Sequence, residues 1–363
     1  MTELKELAVT KGFSLFEEFS TTNHEQVVFC HDAETGLKAI IGIHNTVLGP
    51  ALGGCRIWNY ATEQEALNDV LRLSRGMTYK NAISGLNLGG GKAVIIGDSR
   101  TIKTKEFMQR FGRFVNDLGG KYITAEDVGV NTSDIENMYQ VTKHVSGKPQ
   151  HLGGGGDPSV FTAYGVYLGM KASAKKAFGT DSLAGKRIAV QGVGHVGSLL
   201  LGHLQKEGAI LFVSDYFEDK AIDAASKFGA TMVGLNDIYD LDIDIYAPCA
   251  LGATLNDDTI GRLKCAVVAG AANNQLKDEV KHGNELTAKG IIYAPDFLIN
   301  AGGVINVYQE VLGYDEAAAY ASVEKIYQFT ADLLDKAEKE GITTHQAALN
   351  TAEARIAAAK ASK

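Results

Sequence analysis

A chain of 363 residues has room for two domains, and 45% hydrophobic with 21% charged residues is the balance of a globular protein with a sizeable core. The formal net charge of −8 excludes nucleic acid as the main partner, because phosphate binding needs a basic face. Met1-Thr2-Glu3-Leu4-Lys5-Glu6 lacks the apolar core of a signal peptide, and no run of about eighteen apolar residues reads as a membrane span.

Cys30, Cys55, Cys249 and Cys265 form no Cys-x-x-Cys pair, and the nine histidines show no His-x-x-x-His spacing. This reads as a reduced, cytoplasmic protein with no disulfide framework and no metal.

The first twelve or so residues read as an extension. Val27 to Phe29 and Leu37 to Ile43 read as strands, and Thr62-Glu63-Gln64-Glu65 is a capping box opening a helix through about Met77. Three glycines then precede a lysine in Leu86-Asn87-Leu88-Gly89-Gly90-Gly91-Lys92. A phosphate-binding P-loop would need glycine where Leu86 stands and Ser or Thr where Ala93 stands. Since Ala93-Val94-Ile95-Ile96 is a buried-strand run, Lys92 is expected on a glycine turn leading into that strand. Desolvation and neighbouring cations in such a place favour the neutral, reactive amine.

Thr104 caps the next helix, with Phe107, Phe111, Phe114, Val115 and Leu118 on one face and Gly119 at its end. Tyr122-Ile123-Thr124 reads as a short strand, and Ser133 with Glu136 as a second capping box. Four glycines, Gly153 to Gly156, before Asp157-Pro158 mark a domain boundary and hinge.

The expected division is an α/β substrate domain over 1–150 and a doubly wound Rossmann domain over 151–334, with a cleft between them. In the second, strands Arg187 to Gln191, Ile210 to Ser214, Ile243 to Tyr246, Ala266 to Ala269 and Ile291 to Tyr293 are expected to alternate strictly with helices. The alanine-rich stretch from about Glu316 reads as helical, its last part (about 335–363) returning to the first domain.

Gly192-Val193-Gly194-His195-Val196-Gly197 follows a strand, opens an amphipathic helix, and is followed about twenty residues on by Asp215 at the end of the next strand. That context fits a dinucleotide, with pyrophosphate at the helix N-terminus and the carboxylate on the ribose hydroxyls. Tyr216 and Phe217 follow Asp215 where a 2′-phosphate would need an arginine, which favours NAD over NADP. His195, inside the motif, is expected to face solvent. Lys80 precedes Lys92 by twelve residues, and Glu126-Asp127 lies beyond them. Two lysines and an aspartate opposite a dinucleotide fold point to an anionic substrate and proton transfer.

Gly49 to Arg56, Arg75 to Lys80, Leu88 to Lys92, Ala125 to Gly129, Thr162 to Val166, the cofactor glycines, Gly270 to Leu276 and Asn300 to Asn306 span most of the chain. In these stretches and their order the sequence resembles the glutamate/leucine/phenylalanine/valine dehydrogenase family, most closely its leucine-using members. The resemblance implies NAD-dependent, reversible oxidative deamination of an L-amino acid to a 2-oxo acid and ammonia.

By the same resemblance Lys80 pairs with the substrate α-carboxylate, Lys92 activates water, and Asp127 shuttles protons to and from the amine. Gly53 and Gly54 let the backbone approach the substrate, and Thr162 and Asn273 hold the nicotinamide end. His195, Val196, Ala250 and Asn300 complete the cofactor set. Glutamate-using members carry a lysine where this chain has Leu52; with Val304, Leu52 is expected to wall an apolar side-chain pocket for leucine, valine and isoleucine. A homo-oligomer, an octamer in the leucine-using members, is implied as well.

Val160-Phe161 and Ile83-Ser84 depart from the family pattern without removing a catalytic group. Three readings compete with branched-chain use: phenylalanine as substrate, a 2-hydroxy-acid dehydrogenase, and a non-catalytic NAD-binding protein. The last two sit poorly with Lys80, Lys92 and Asp127. Hydroxy-acid chemistry usually relies on a paired histidine and an arginine clamp, and a binding module has no use for a proton-transfer set.

Overall fold

The computed structural model describes residue 19 and residues 21–362, so the expected N-terminal extension lies outside it. β1 (Gln26–Asp32) and β2 (Leu37–Asn45) form an antiparallel hairpin. β3 (Ala51–Trp58), α1 (Glu63–Ile83), β4 (Gly89–Ile96), α2 (Lys105–Asp117), β5 (Tyr122–Ala125) and α3 (Thr132–Tyr139) follow. The strands lie in the order β1-β2-β4-β3-β5, with β3 parallel to β4 and β5, and β2 antiparallel to β4.

Period-two alternation sorts the faces of this sheet. Cys55, Ile57, Ala93 and Ile95 share a core with Phe107, Met108 and Phe111 of α2, whereas Val94 packs with Ala66, Leu67 and Val70 of α1. Gly54, Arg56, Gly90 and Lys92 therefore fall on the α1 face.

Here the structure corrects three expectations. The three glycines and Lys92 are not a turn before the strand but the first half of β4 itself. Their lack of side chains is a packing requirement: a Cβ on Gly90 would fall on the Thr78 backbone, and one on Gly91 on the Tyr122 ring. α1 runs six residues beyond Met77, so Lys80 rides its last turn. Arg355 continues that end, donating to Ala82 O and Leu86 O, each at 2.8 Å, which satisfies carbonyls a helix end leaves open. The second capping box is formed by Asn131 and Asp134 rather than Ser133 and Glu136: the Asn131 side chain accepts from Asp134 N and the Asp134 carboxylate from Asn131 N.

The second half begins with α4 (Pro158–Phe178), then β6 (Arg187–Gln191), α5 (His195–Lys206), β7 (Ile210–Ser214), α6 (Glu218–Phe228), β8 (Thr231–Met232), β9 (Ile245–Pro248) and β10 (Val267–Val268). α7 (Glu279–Ala288), β11 (Ile292–Tyr293), α8 (Asp296–Ile299) and α9 (Gly302–Leu312) lead to α10 (Glu316–Glu340) and α11 (Thr344–Ala361).

All pairings in the second sheet are parallel, in the order β11-β10-β9-β6-β7-β8. The strand order reverses between β6 and β9, the switch point at which such sheets open a crevice at the strand C-termini. Strict alternation fails after β8 and again after β9, where short 3-10 turns at Asp237–Asp240 and Ile260–Arg262 stand in for helices. α10 packs on α4, and α11 lies against α1, with Ala347, Ala348 and Ala352 in one core with Ala82 and Ile83. No helix among the described residues is long and apolar enough to cross a membrane.

Candidate active site

The two sheets face each other across a cleft of about 540 Å³. Its lining brings together Leu52, Gly54, Lys80, Lys92 and Asp127 from one side and Thr162, Val196, Asn273, Asn300 and Val304 from the other. Gly53 is outside the lining. A Cβ on it would fall on Gly91 O, and one on Gly54 on Glu126 O, so both glycines are also demanded by the close approach of neighbouring backbone.

Lys92 is 5% exposed and bonds Oδ2 of Asp127, which sits just past β5. Asp127 Oδ1 accepts from Val128 N at 2.6 Å and from the Arg56 guanidinium at 3.4 Å and 3.5 Å. Burial, then the Arg56 cation, bring the Lys92 ammonium down to about 7. Lys80 is brought down by burial to about 8, with Asp296 acting the other way. The Lys80 amine donates to Asn300 Oδ1 at 2.6 Å, and Asn300 in turn donates to Ala271 O and Asn273 Oδ1. This chain of bonds crosses the cleft from α1 to the end of α8.

Beside the two lysines the wall is apolar. Leu52, 2% exposed, is joined by Val304 and by Met77, Ala125 and Val307, which sequence patterning did not single out. Ala125 and Val307 lie in or next to quoted motifs, but only the fold shows that they share one wall. Arg56 was legible as part of a motif and not as a partner of Asp127.

At the end of β6, α5 starts at His195 with Gly194 as its N-cap and no capping side chain, leaving its first N–H groups open. Nothing stands within 4 Å of where a Gly194 Cβ would be, while a Cβ on Gly197 would fall on Gly192 O and one on Gly192 on Ala250. The carboxylate of Asp215 is held at the tip of β7 by Val193 N at 2.8 Å and Phe217 N at 2.9 Å. His195 is exposed, as expected. An open glycine cradle, a free helix N-terminus and an oriented carboxylate fit a dinucleotide.

Elsewhere, Asp257, His282 and Glu285 lie within reach of one another. His282 Nδ1 accepts from Asp278 N, so Nε2 carries the proton toward Asp257, which Lys281 also bonds. That donor set does not fit a metal.

Residues 24–144 match the family model described as Glu/Leu/Phe/Val dehydrogenase, dimerisation domain, and residues 213–363 the Glutamate/Leucine/Phenylalanine/Valine dehydrogenase model. Leucine dehydrogenase of Thermoactinomyces intermedius is 55% identical over 94% of this chain and 93% of its own length. The chain belongs to the glutamate/leucine/phenylalanine/valine dehydrogenase family. Leucine dehydrogenase of Bacillus subtilis, another member, is also 55% identical, over 94% of each chain. The crystal structure of L-tryptophan dehydrogenase from Nostoc punctiforme, 46% identical, superposes with a TM-score of 0.84 over 96% of this chain and 100% of that one. The two-domain α/β fold of the family and its amino-acid dehydrogenase character are thus those of this chain.

Proposed function

We propose that this enzyme deaminates branched-chain L-amino acids, leucine with valine and isoleucine, to 2-oxo acids and ammonia, reversibly and with NAD. One observation carries the reading: buried Lys92, paired with the part-buried Asp127, and part-buried Lys80 share one cleft with the apolar wall around Leu52. The leucine dehydrogenases at 55% identity support the substrate class. The substrate domain comprises 1–150 with the C-terminal helix, the cofactor domain 151–334. The working form is a cytoplasmic homo-oligomer, an octamer by family resemblance; the description of the first family model as a dimerisation domain supports self-association.

In this mechanism the Lys80 ammonium, aimed by Asn300, holds the substrate α-carboxylate in a cleft of low dielectric. Asp127 takes a proton from the substrate ammonium, freeing the amine lone pair that drives hydride off the α-carbon. Gly192, Gly194, Gly197, Asp215, Thr162 and Asn273 would hold NAD, which when bound would supply the hydride acceptor. Lys92, neutral, takes a proton from the water that adds to the resulting iminium carbon. Asp127 returns its proton to the nitrogen and the C–N bond breaks. The hydroxyl proton passes to the departing ammonia, which leaves as ammonium as the carbonyl forms; Lys92 then gives its proton to solvent. Below about pH 7 Lys92 is protonated and cannot accept, so kcat/KM falls on the acid side.

NADH formation with a panel of L-amino acids and L-lactate tests the reading. Leucine, valine and isoleucine are expected to lead, with glutamate more than a hundredfold lower in kcat/KM, because a buried unpaired carboxylate costs about 3–5 kcal/mol. Phenylalanine leading would replace the substrate class; lactate alone would replace the reaction. Asp215→Ser should weaken NAD roughly 10- to 100-fold, the worth of hydrogen bonds to a charged group, and narrow the preference over NADP. An unchanged NAD/NADP ratio in that variant would remove Asp215 from the ribose.

A further inference from the structure

We propose that Arg56 is a positioning residue for proton transfer: its guanidinium takes Asp127 Oδ1, leaving Oδ2 to Lys92, and is itself aimed by Asp69. The inference rests on the reading of Lys92 as the amine that activates water.

Three observations converge on it. Arg56 lies two residues beyond Gly54 on β3, on the same sheet face as Lys92. Its Nη1 donates to Asp69 Oδ2 at 2.9 Å, while Nε and Nη2 point to Asp127. Asp69 does not swing freely: Tyr60 donates to the same Oδ2 at 2.7 Å and Arg72 to Oδ1 at 2.9 Å. All of these groups are at most half-exposed except Arg72, so the fork geometry of the guanidinium is held from both ends. A carboxylate with one oxygen so occupied presents the other in a fixed direction. Lys92, pointing at that oxygen, is the group that benefits.

Charge works with geometry here. The titratable and charged groups facing Lys92 are Cys55 and Arg56 on β3, Asp69 and Lys80 on α1, and Asp127; β2 offers only Gly42 at the paired position. Among them Arg56 is the cation that acts most strongly against the Lys92 ammonium, and Asp69 acts for it. Removing the two charges must therefore move Lys92 in opposite directions.

The test is competitive trace acylation of lysines across pH, read by peptide mass spectrometry at Lys92, together with kcat and KM profiles. In Arg56→Gln the Lys92 titration should move up by about one pH unit, as the loss of a cation a few ångströms away at high effective dielectric implies. The acid limb of kcat/KM should follow, with kcat down roughly 10- to 100-fold at pH 7 and amino-acid KM within about threefold. Asp69→Asn should move the titration down. Arg56→Lys, which keeps charge and loses the fork, should leave the titration near that of the unaltered enzyme and recover part of kcat.

Lys92 unmoved in Arg56→Gln, or displaced upward in Asp69→Asn, overturns the proposal. If Arg56→Gln does not fold, Asp69→Asn and Arg56→Lys decide it by the same titration. A Lys92 variant that retains turnover would instead overturn the functional reading.

Discussion

Lys92→Ala is expected to lower turnover by at least about 10²- to 10⁴-fold, the usual worth of a positioned acid–base group, with NADH binding within about twofold of normal. The separation follows from the fold. Lys92 stands on β4 of the first sheet, whereas the glycine turn and Asp215 follow the C-terminal ends of β6 and β7 of the second. The substitution also leaves Asp127 Oδ2 without its amine, so a thermal melt is the control for folding. NADH fluorescence titration reads the cofactor and steady-state rates read the chemistry. Turnover close to normal in a folded variant would dismiss Lys92 as the base. Weakened NADH with intact turnover would mean that the two sites are not separable as drawn.

The legible part of this site was the part carried by short, contiguous chemistry. The dinucleotide turn could be read because strand, glycines, helix and acidic residue follow one another within 29 residues, from Arg187 to Asp215. Lys92 and Asp127 stand out because each sits in its own glycine-rich or acidic stretch, and Lys80 because it lies twelve residues before Lys92 in a stretch that carries the family resemblance. What sequence could not supply was adjacency. Arg56 meets Asp69 and Asp127 across 13 and 71 residues, and no spacing rule links them.

The glycines before Lys92 read from sequence as a turn, but they form the first half of β4. A glycine run reads as a turn because its conformational freedom is the commonest use. In this chain the residues that exclude a Cβ, Thr78 and Tyr122, come from elements before and after β4. β8 escaped notice because it is a two-residue, exposed edge strand with no buried alternation to betray it.

That packing gives the other large expected effect. Gly90→Ala should destabilise the protein by about 1–3 kcal/mol or more, lowering its melting temperature by roughly 2–12 °C at the sensitivity of domains of this size. The atoms in the way are the amide nitrogen, Cα and Oγ1 of Thr78, so rotating a side chain cannot relieve the clash. Thr78 is interior to α1, and its hydroxyl is engaged by His44 Nδ1 at 2.8 Å. Either the strand or the helix must move, and Lys80 lies two residues further along that helix. Loss of stability should therefore come with a raised KM for the amino acid, since the α-carboxylate partner is displaced, more than with a change in NAD affinity. Asn81, which donates to Gly89 O at 2.6 Å, ties the same helix end to the strand, so Asn81→Ala should raise KM in the same sense. A Gly90→Ala protein with unaltered melting and unaltered KM would mean that α1 and β4 are further apart than this structure has them.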